Sequence, residues 1–156
     1  MGFEITEIEE LSGNKARIYS VIIDGEEGTL LEQFFEENKD YRKELSTMLY
    51  KIKTMSEKTG CIREFFKEGE GVLADGVMAL KVGKLRLYGL YFNKTVVLFG
   101  SGGVKNVRAY QEDPYLNAKA EQMKYIASKI NAGIRDRSIK IGEDGTIDCK
   151  DFEVYD

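Results

Sequence analysis

The alternation of apolar and polar positions first indicates a strand and a short helix. Residues 15–24 are rich in Ile, Val and Tyr and precede a Gly-Glu-Glu-Gly turn, so they predict a strand that is buried on both faces. Thr29 and Glu32 have the spacing of a capping box and predict the start of a helix. We expect this helix to end near Asn38.

A second helix is predicted from about Asp40 to Lys58, because apolar residues recur there at helical spacing. The stripe consists of Tyr41, Leu45, Met48, Leu49, Ile52 and Met55. Gly60 is suited to the C-terminal cap. Such a stripe serves either core packing or a partner groove, and core packing is the expected use.

Three further strands are predicted as a meander, at residues 77–82, 85–92 and 95–100, with two-residue turns at Gly83-Lys84 and Asn93-Lys94. A closing helix follows, with Asp113 as its N-cap and Pro114 as its first residue. Its predicted buried residues are Leu116, Ala120, Met123, Ala127 and Ile130.

The chain ends with a predicted small hairpin that turns at residues 142–145. The order is strand, two helices, three-stranded antiparallel meander, closing helix and hairpin, which predicts an α+β fold. Residues 131–156 form an acidic C-terminal extension that we expect to pack on the same domain.

The predicted turns place two cations opposite each other, since Lys81 pairs with Arg86 and Ser101 lies near Arg86. One face of the meander is then apolar and carries the helices, whereas the open face holds Lys81, Arg86, Tyr88, Phe99 and Ser101. A pair of like charges across two strands costs ~0.2–1 kcal/mol, and a bound anion reverses the sign. The alternative is that the cations extend into solvent and Tyr88 only covers the sheet.

The charges and aromatic rings of the open face are suited to binding a nucleic acid. Arginine and lysine fit phosphate, and a base stacked on an aromatic ring contributes ~1–3 kcal/mol. The net charge is −4, yet residues 71–130 carry +5, against −6 in residues 1–70 and −3 in residues 131–156. Either this asymmetry marks a local anion-binding surface or it arises by chance.

Composition excludes several classes of protein. The chain has no histidine, which excludes Ser-His-Asp and Cys-His catalysis and histidine metal sites. Its two cysteines do not form a disulfide framework and favour a reducing, cytoplasmic location. No apolar run approaches the ~20 residues of a membrane helix, so we expect no membrane association. The stretch GSGGVK at 100–105 lacks the P-loop pattern and is expected to be a glycine-rich strand exit.

Three stretches together resemble the RelE/HigB superfamily of type II toxin–antitoxin toxins, in particular its phage-derived HigB-like branch. They are ALKVGKLRLYGLYF, TVVLFGSGGVKN and EDPYLNAKA, which follow the family's ordered pattern of E-L-R, y-R-v-l-Y-f, v-v-l-l, G-f-x-K-K, P and A. The resemblance covers roughly residues 16–130 and implies a RelE/HigB-like domain over residues 1–130.

The resemblance implies a cytoplasmic, metal-independent and cofactor-independent endoribonuclease that enters the ribosome and cleaves mRNA. Its expected partners are a cognate helix-turn-helix antitoxin, mRNA and the ribosome. The implied catalytic residues are Arg86, Lys81, Lys105 and Tyr88. The expected RNA contacts are Lys84, Phe99, Ser101, Arg108 and Tyr110.

The sequence also departs from the family pattern. Ala79 stands at the glutamate of E-L-R, Asn106 stands at the second lysine of K-K, and the isoelectric point is about 5.1, in a family that is usually basic. Two alternatives therefore stay open: a catalytically inactive RelE-like module that holds a protein partner or RNA, and a sensor of small anions. The acidic extension is expected either to cover the cationic face as an inhibitor or to be decoration.

Overall fold

The computed structural model describes residues 1–67, 72, 75–106 and 113–154. Within these residues the fold is α+β, with three α-helices, a five-stranded mixed sheet and a two-stranded hairpin. The sheet contains β1 (Phe3–Glu7), β2 (Arg17–Ile23), β3 (Val77–Val82), β4 (Leu85–Asn93) and β5 (Val96–Val104). The remaining elements are α1 (Leu30–Glu37), α2 (Arg42–Thr54), α3 (Pro114–Arg135), β6 (Lys140–Ile141) and β7 (Ile147–Asp148), with a π-helical turn at Met55–Thr59 and a 3₁₀ turn at Arg63–Phe66.

The strands lie in the order β1-β2-β5-β4-β3. Only the β2–β5 pair is parallel among them, so the predicted meander β3-β4-β5 is confirmed as antiparallel. Strand β1 was not predicted, although Phe3 and Ile5 alternate with polar residues as a half-buried strand requires.

The local signals for the helices are confirmed. Thr29 caps α1 with its hydroxyl, which accepts from Glu32 N at 3.1 Å, and the Glu32 carboxylate accepts from Thr29 N at 2.9 Å. Asp113 Oδ1 accepts from Leu116 N at 3.1 Å and caps α3. The predicted stripe of α3 is buried, and so is that of α2 except at its margins, where Tyr41 is half-buried and Leu49 exposed.

Ser20 connects the two halves of the sheet where β2 and β5 stop pairing. The parallel ladder joins residues 17–19 to residues 96–98. Beyond it, the buried Ser20 hydroxyl donates to Phe99 O at 2.7 Å and accepts from Leu31 N at 3.3 Å. One side chain thereby links both strands to the first turn of α1.

Helices cover both faces of the sheet. Residues of α1 and α2 pack on one face with Leu80, Leu85, Leu87 and Phe99. Residues of α3 and the C-terminal segment pack on the other face with Tyr88 and Leu98 among others. The prediction of an open sheet face is therefore wrong.

The register of β5 also differs from the prediction, so Tyr88 and Phe99 lie on opposite faces of the sheet. The pair Lys81–Arg86 is confirmed, but Asn93 pairs with Val96 and Tyr91 with Val97, in place of the predicted Phe92–Thr95 pair. A slip of one residue exchanges the two faces of a strand. An irregularity between Leu87 and Gly89 shifts the register again.

The acidic extension lies at the opposite end of β5 from Lys105. Gly145 packs against the backbone of Thr95, and Arg17 Nη2 lies 3.7 Å from Asp144 Oδ2. Phe152 packs on Phe3 at the β1 edge. In the described residues up to 154, the extension does not cover the cationic residues of β3 and β4. Among the described residues, each helix is too short or too polar to span a bilayer.

Candidate anion-binding site

Four cationic residues converge where the β3–β4 turn meets the end of β5. Lys81 is the cross-strand partner of Arg86, and Lys84 lies in the turn between them. Lys105 N donates to Lys84 O at 2.7 Å, which holds the chain after β5 beside this turn. We call Lys81, Lys84, Arg86 and Lys105 the cationic end.

The local sequence fixes this geometry. Gly83 has φ of +57°, which glycine adopts at little cost in a tight two-residue turn. Arg86 Nη1 donates to Gly83 O at 2.8 Å and to Leu85 O at 3.0 Å, so its guanidinium lies against the turn. An arginine held in this way loses less conformational entropy when it binds an anion.

Among the described residues, carboxylates do not form ion pairs with the three lysines of the cationic end. In the parts of the chain that are described, none lies within 4 Å of the ammonium groups of Lys81, Lys84 or Lys105. Glu44, in the first turn of α2, approaches the turn from the other side, with its Cγ 3.4 Å from where a Cβ at Gly83 would lie. The three lysines therefore form a positively charged surface in a protein of net charge −4.

The two predicted stacking aromatics are buried. Tyr88 lies on the same face as Arg86, but α3 covers it and only 7% of it is exposed. Phe99 is 0% exposed and lies on the other face, among residues of α1 and α2. In this structure neither ring has room for a nucleobase.

The glycine-rich stretch allows close packing of strands. Ser101, predicted to lie near Arg86, is buried, and its hydroxyl has no hydrogen-bond partner in the described chain. A Cβ at Gly102 would overlap Arg86 O, and it is Gly103 that pairs with Arg86. The prediction of a strand exit at 100–105 is wrong for most of this stretch, because β5 continues to Val104 and its glycines pair with β4. Arg108 and Tyr110 lie outside the described residues.

An exposed tyrosine that the sequence analysis did not single out lies next to Gly103, beside the cationic end. Tyr115, in the first turn of α3, is 51% exposed, and its ring lies 3.0 Å from where a Cβ at Gly103 would be. Its hydroxyl donates to Glu37 Oε1 at 3.2 Å. Burial and the Glu37 carboxylate raise the pKa of Tyr115, so the phenol is neutral at pH 7. Only its position directly after Asp113-Pro114 could have indicated it.

The fold and this site define an α+β protein with a cationic surface at one end of its sheet. In the described part of the chain no cluster of three or more His, Cys, Asp or Glu side chains could hold a metal ion. No family model matches the sequence, and neither the curated proteins nor the solved structures contain a match.

Proposed function

We propose that the protein is the toxin-like component of a type II toxin–antitoxin system, with a RelE-like arrangement of its elements. It binds mRNA at the cationic end and cleaves it in the ribosome. Its partners are a helix-turn-helix antitoxin, mRNA and the ribosome.

The observation that carries this proposal is the convergence of Lys81, Lys84, Arg86 and Lys105. Like charges that are directly opposite each other across strands destabilise a sheet. A phosphodiester beside the Arg86 guanidinium and the Lys81 ammonium is attracted by both cations. An RNA backbone bound here would be attracted by several lysine and arginine side chains at once.

The proposed reaction needs no metal. The ribose 2′-oxygen attacks the adjacent phosphorus and loses its proton, the bond to the 5′-oxygen breaks, and that oxygen receives a proton. The products are a 2′,3′-cyclic phosphate and a 5′-hydroxyl. Lys81 and Arg86 hold the phosphate and stabilise the charge of the transition state, and Lys105 contacts the phosphate or the leaving oxygen.

Burial of Tyr88 supports the second candidate, a RelE-like binding module without catalysis. Tyr88 is one of the catalytic residues that the resemblance implies, and α3 covers it. The inactive module keeps the cationic end and binds RNA or a protein partner, but it does not break the phosphodiester bond.

The deciding experiment measures growth arrest on expression and mRNA cleavage by purified protein with ribosomes. We expect Arg86→Ala and Lys81→Ala to abolish both, and Arg86→Lys, which keeps the charge but loses the fork, to retain part of the activity. Arg135→Ala removes an exposed arginine from the far end of α3 and should change neither.

Thermal unfolding must show that the variants are folded, because Arg86 also bonds to its own turn. Activity that persists in folded Arg86→Ala and Lys81→Ala variants contradicts the site. RNA binding without cleavage in the native protein identifies the binding module instead.

A further inference from the structure

We propose that Tyr115 is the base-contacting residue of this site and that its ring stacks on a nucleobase of the RNA whose phosphate lies at Lys81 and Arg86. The inference rests on the proposed function, since it takes RNA as the ligand. It assigns the role of reading the base to a residue of α3, in place of the buried Tyr88 and Phe99.

Register places the phosphate-binding residues and the tyrosine in one row. Lys81 pairs with Arg86, and Arg86 pairs with Gly103, so the three positions lie side by side on β3, β4 and β5. A side chain at Gly103 would point at Tyr115 and Leu116 of α3, so this row lies on the face that α3 covers. Lys81, Arg86 and the Tyr115 ring therefore follow one another across the sheet.

Gly103 makes room for the ring. With only a hydrogen at this position, the ring settles onto the strand, because a Cβ would lie 3.0 Å from Tyr115 Cε1 and 3.4 Å from its Cδ1. The ring thus lies close to the row formed by Lys81, Arg86 and Gly103. The absence of a side chain at Gly103, the cross-strand partner of Arg86, therefore lets the Tyr115 ring approach β5. The glycine-rich sequence alone did not indicate this contact.

Two neighbours, Glu37 and Lys119, hold the ring in place. The hydroxyl donates to Glu37, and Lys119 Nζ lies 3.5 Å from the same carboxylate and 5.3 Å from the ring centroid. With 51% of the residue still exposed, the ring is a pre-positioned platform at the surface. A pre-positioned aromatic loses little entropy when a base stacks on it.

The test measures binding by fluorescence anisotropy with two probes, a labelled single-stranded oligoribonucleotide and an abasic oligomer of equal length. We expect Tyr115→Ala to weaken binding of the first probe by on the order of tenfold and to leave the abasic probe unchanged. Tyr115→Phe keeps the ring and should bind the first probe within about twofold of the native protein. Tyr50→Ala is the matched control, since Tyr50 is 68% exposed on α2, which packs on the other face.

Arg86→Ala separates this inference from the proposed function, because loss of a phosphate contact weakens both probes. Suppose that Arg86→Ala weakens binding of both probes, whereas Tyr115→Ala weakens binding of neither probe or of both equally. Tyr115 then does not stack on a base, and the proposed phosphate site is retained. If Tyr115→Phe loses as much as Tyr115→Ala, the hydroxyl and not the ring makes the contact. If Arg86→Ala changes neither probe, the RNA site itself is wrong.

Discussion

The two cysteines differ in their surroundings, although neither is in a disulfide. Cys61 is fully buried, and burial raises the pKa of its thiol to about 12. Cys149 is half-buried, and its pKa is raised by burial and by the Asp148 and Glu4 carboxylates. Since the thiolate is the reacting form, reactivity at both sites is low, and it is lowest at Cys61.

We expect a disulfide reagent at pH 8 to modify Cys149 slowly and to leave Cys61 unmodified in the folded protein. Both thiols should react rapidly in concentrated urea. Mass spectrometry of peptides from partly labelled protein locates the modified residue, and the Cys149→Ser variant is the control. Equal rates at the two sites in the native protein would contradict the burial of Cys61.

Stability should fall in alkaline solution because of Cys61. Its folded pKa, about 12, lies above the ordinary value of 9.0, so the folded chain keeps a proton that the unfolded chain releases. The contribution of the protonated Cys61 thiol to the free energy of unfolding is complete below pH 9. It is lost as the pH rises towards 12, by at most ~1.4 kcal/mol per pH unit. Urea unfolding between pH 8 and 10 measures this slope, and the slope should be smaller in Cys61→Ala. An equal slope in both proteins would assign it to other groups, such as Tyr19 and Tyr91, whose pKa values burial also raises.

Among the elements, α1 depends on its capping box at the point where the chain leaves β2. Removal of the Thr29 hydroxyl leaves the Glu32 N–H without its partner at a buried helix start. We expect Thr29→Ala to lower the free energy of unfolding by about 1 kcal/mol, measured by urea denaturation. Thr29→Ser keeps the hydroxyl and should lose clearly less. Equal losses in the two variants would mean that the methyl group, and not the cap, stabilises the helix.

Elements defined by local chemistry could be predicted, whereas those set by tertiary contacts could not. The caps at Thr29 and Asp113 and the Gly83-Lys84 turn depend on neighbours in sequence, and the Lys81–Arg86 pair follows directly from that turn. The predicted register of β5 is wrong because Lys94 and Thr95 form the turn in place of Asn93 and Lys94. In this turn Asn93 Oδ1 accepts from Thr95 N at 2.7 Å.

The same distinction applies to the candidate site. Its cations could be predicted from one hairpin and the following strand. Tyr115 could not, because its place beside Gly103 depends on how α3 crosses β5, a contact that no local pattern encodes. The prediction of exposed stacking rings failed for the same reason, since α3 covers Tyr88.

For the molecule as a whole, the separation of charge has a measurable consequence. Thr95, which contacts Gly145 of the acidic extension, and Lys105 are ten residues apart along β5, or about 33 Å at the rise of an extended strand. The Debye length is ≈ 8 Å at physiological ionic strength and 30 Å at 0.01 M. The extension should therefore influence RNA binding only when salt is low.

Neutralising exposed carboxylates of the extension tests this separation. We expect the triple variant Glu143→Gln, Asp148→Asn and Asp151→Asn to bind a single-stranded oligoribonucleotide with unchanged affinity at 150 mM salt and more tightly at 10 mM. Glu44→Gln is the matched control, since this carboxylate lies beside Gly83 and its removal should tighten binding at 150 mM salt as well. Much tighter binding by the triple variant at 150 mM salt would contradict this separation. It would instead support the hypothesis that the acidic extension covers the cationic end as an inhibitor.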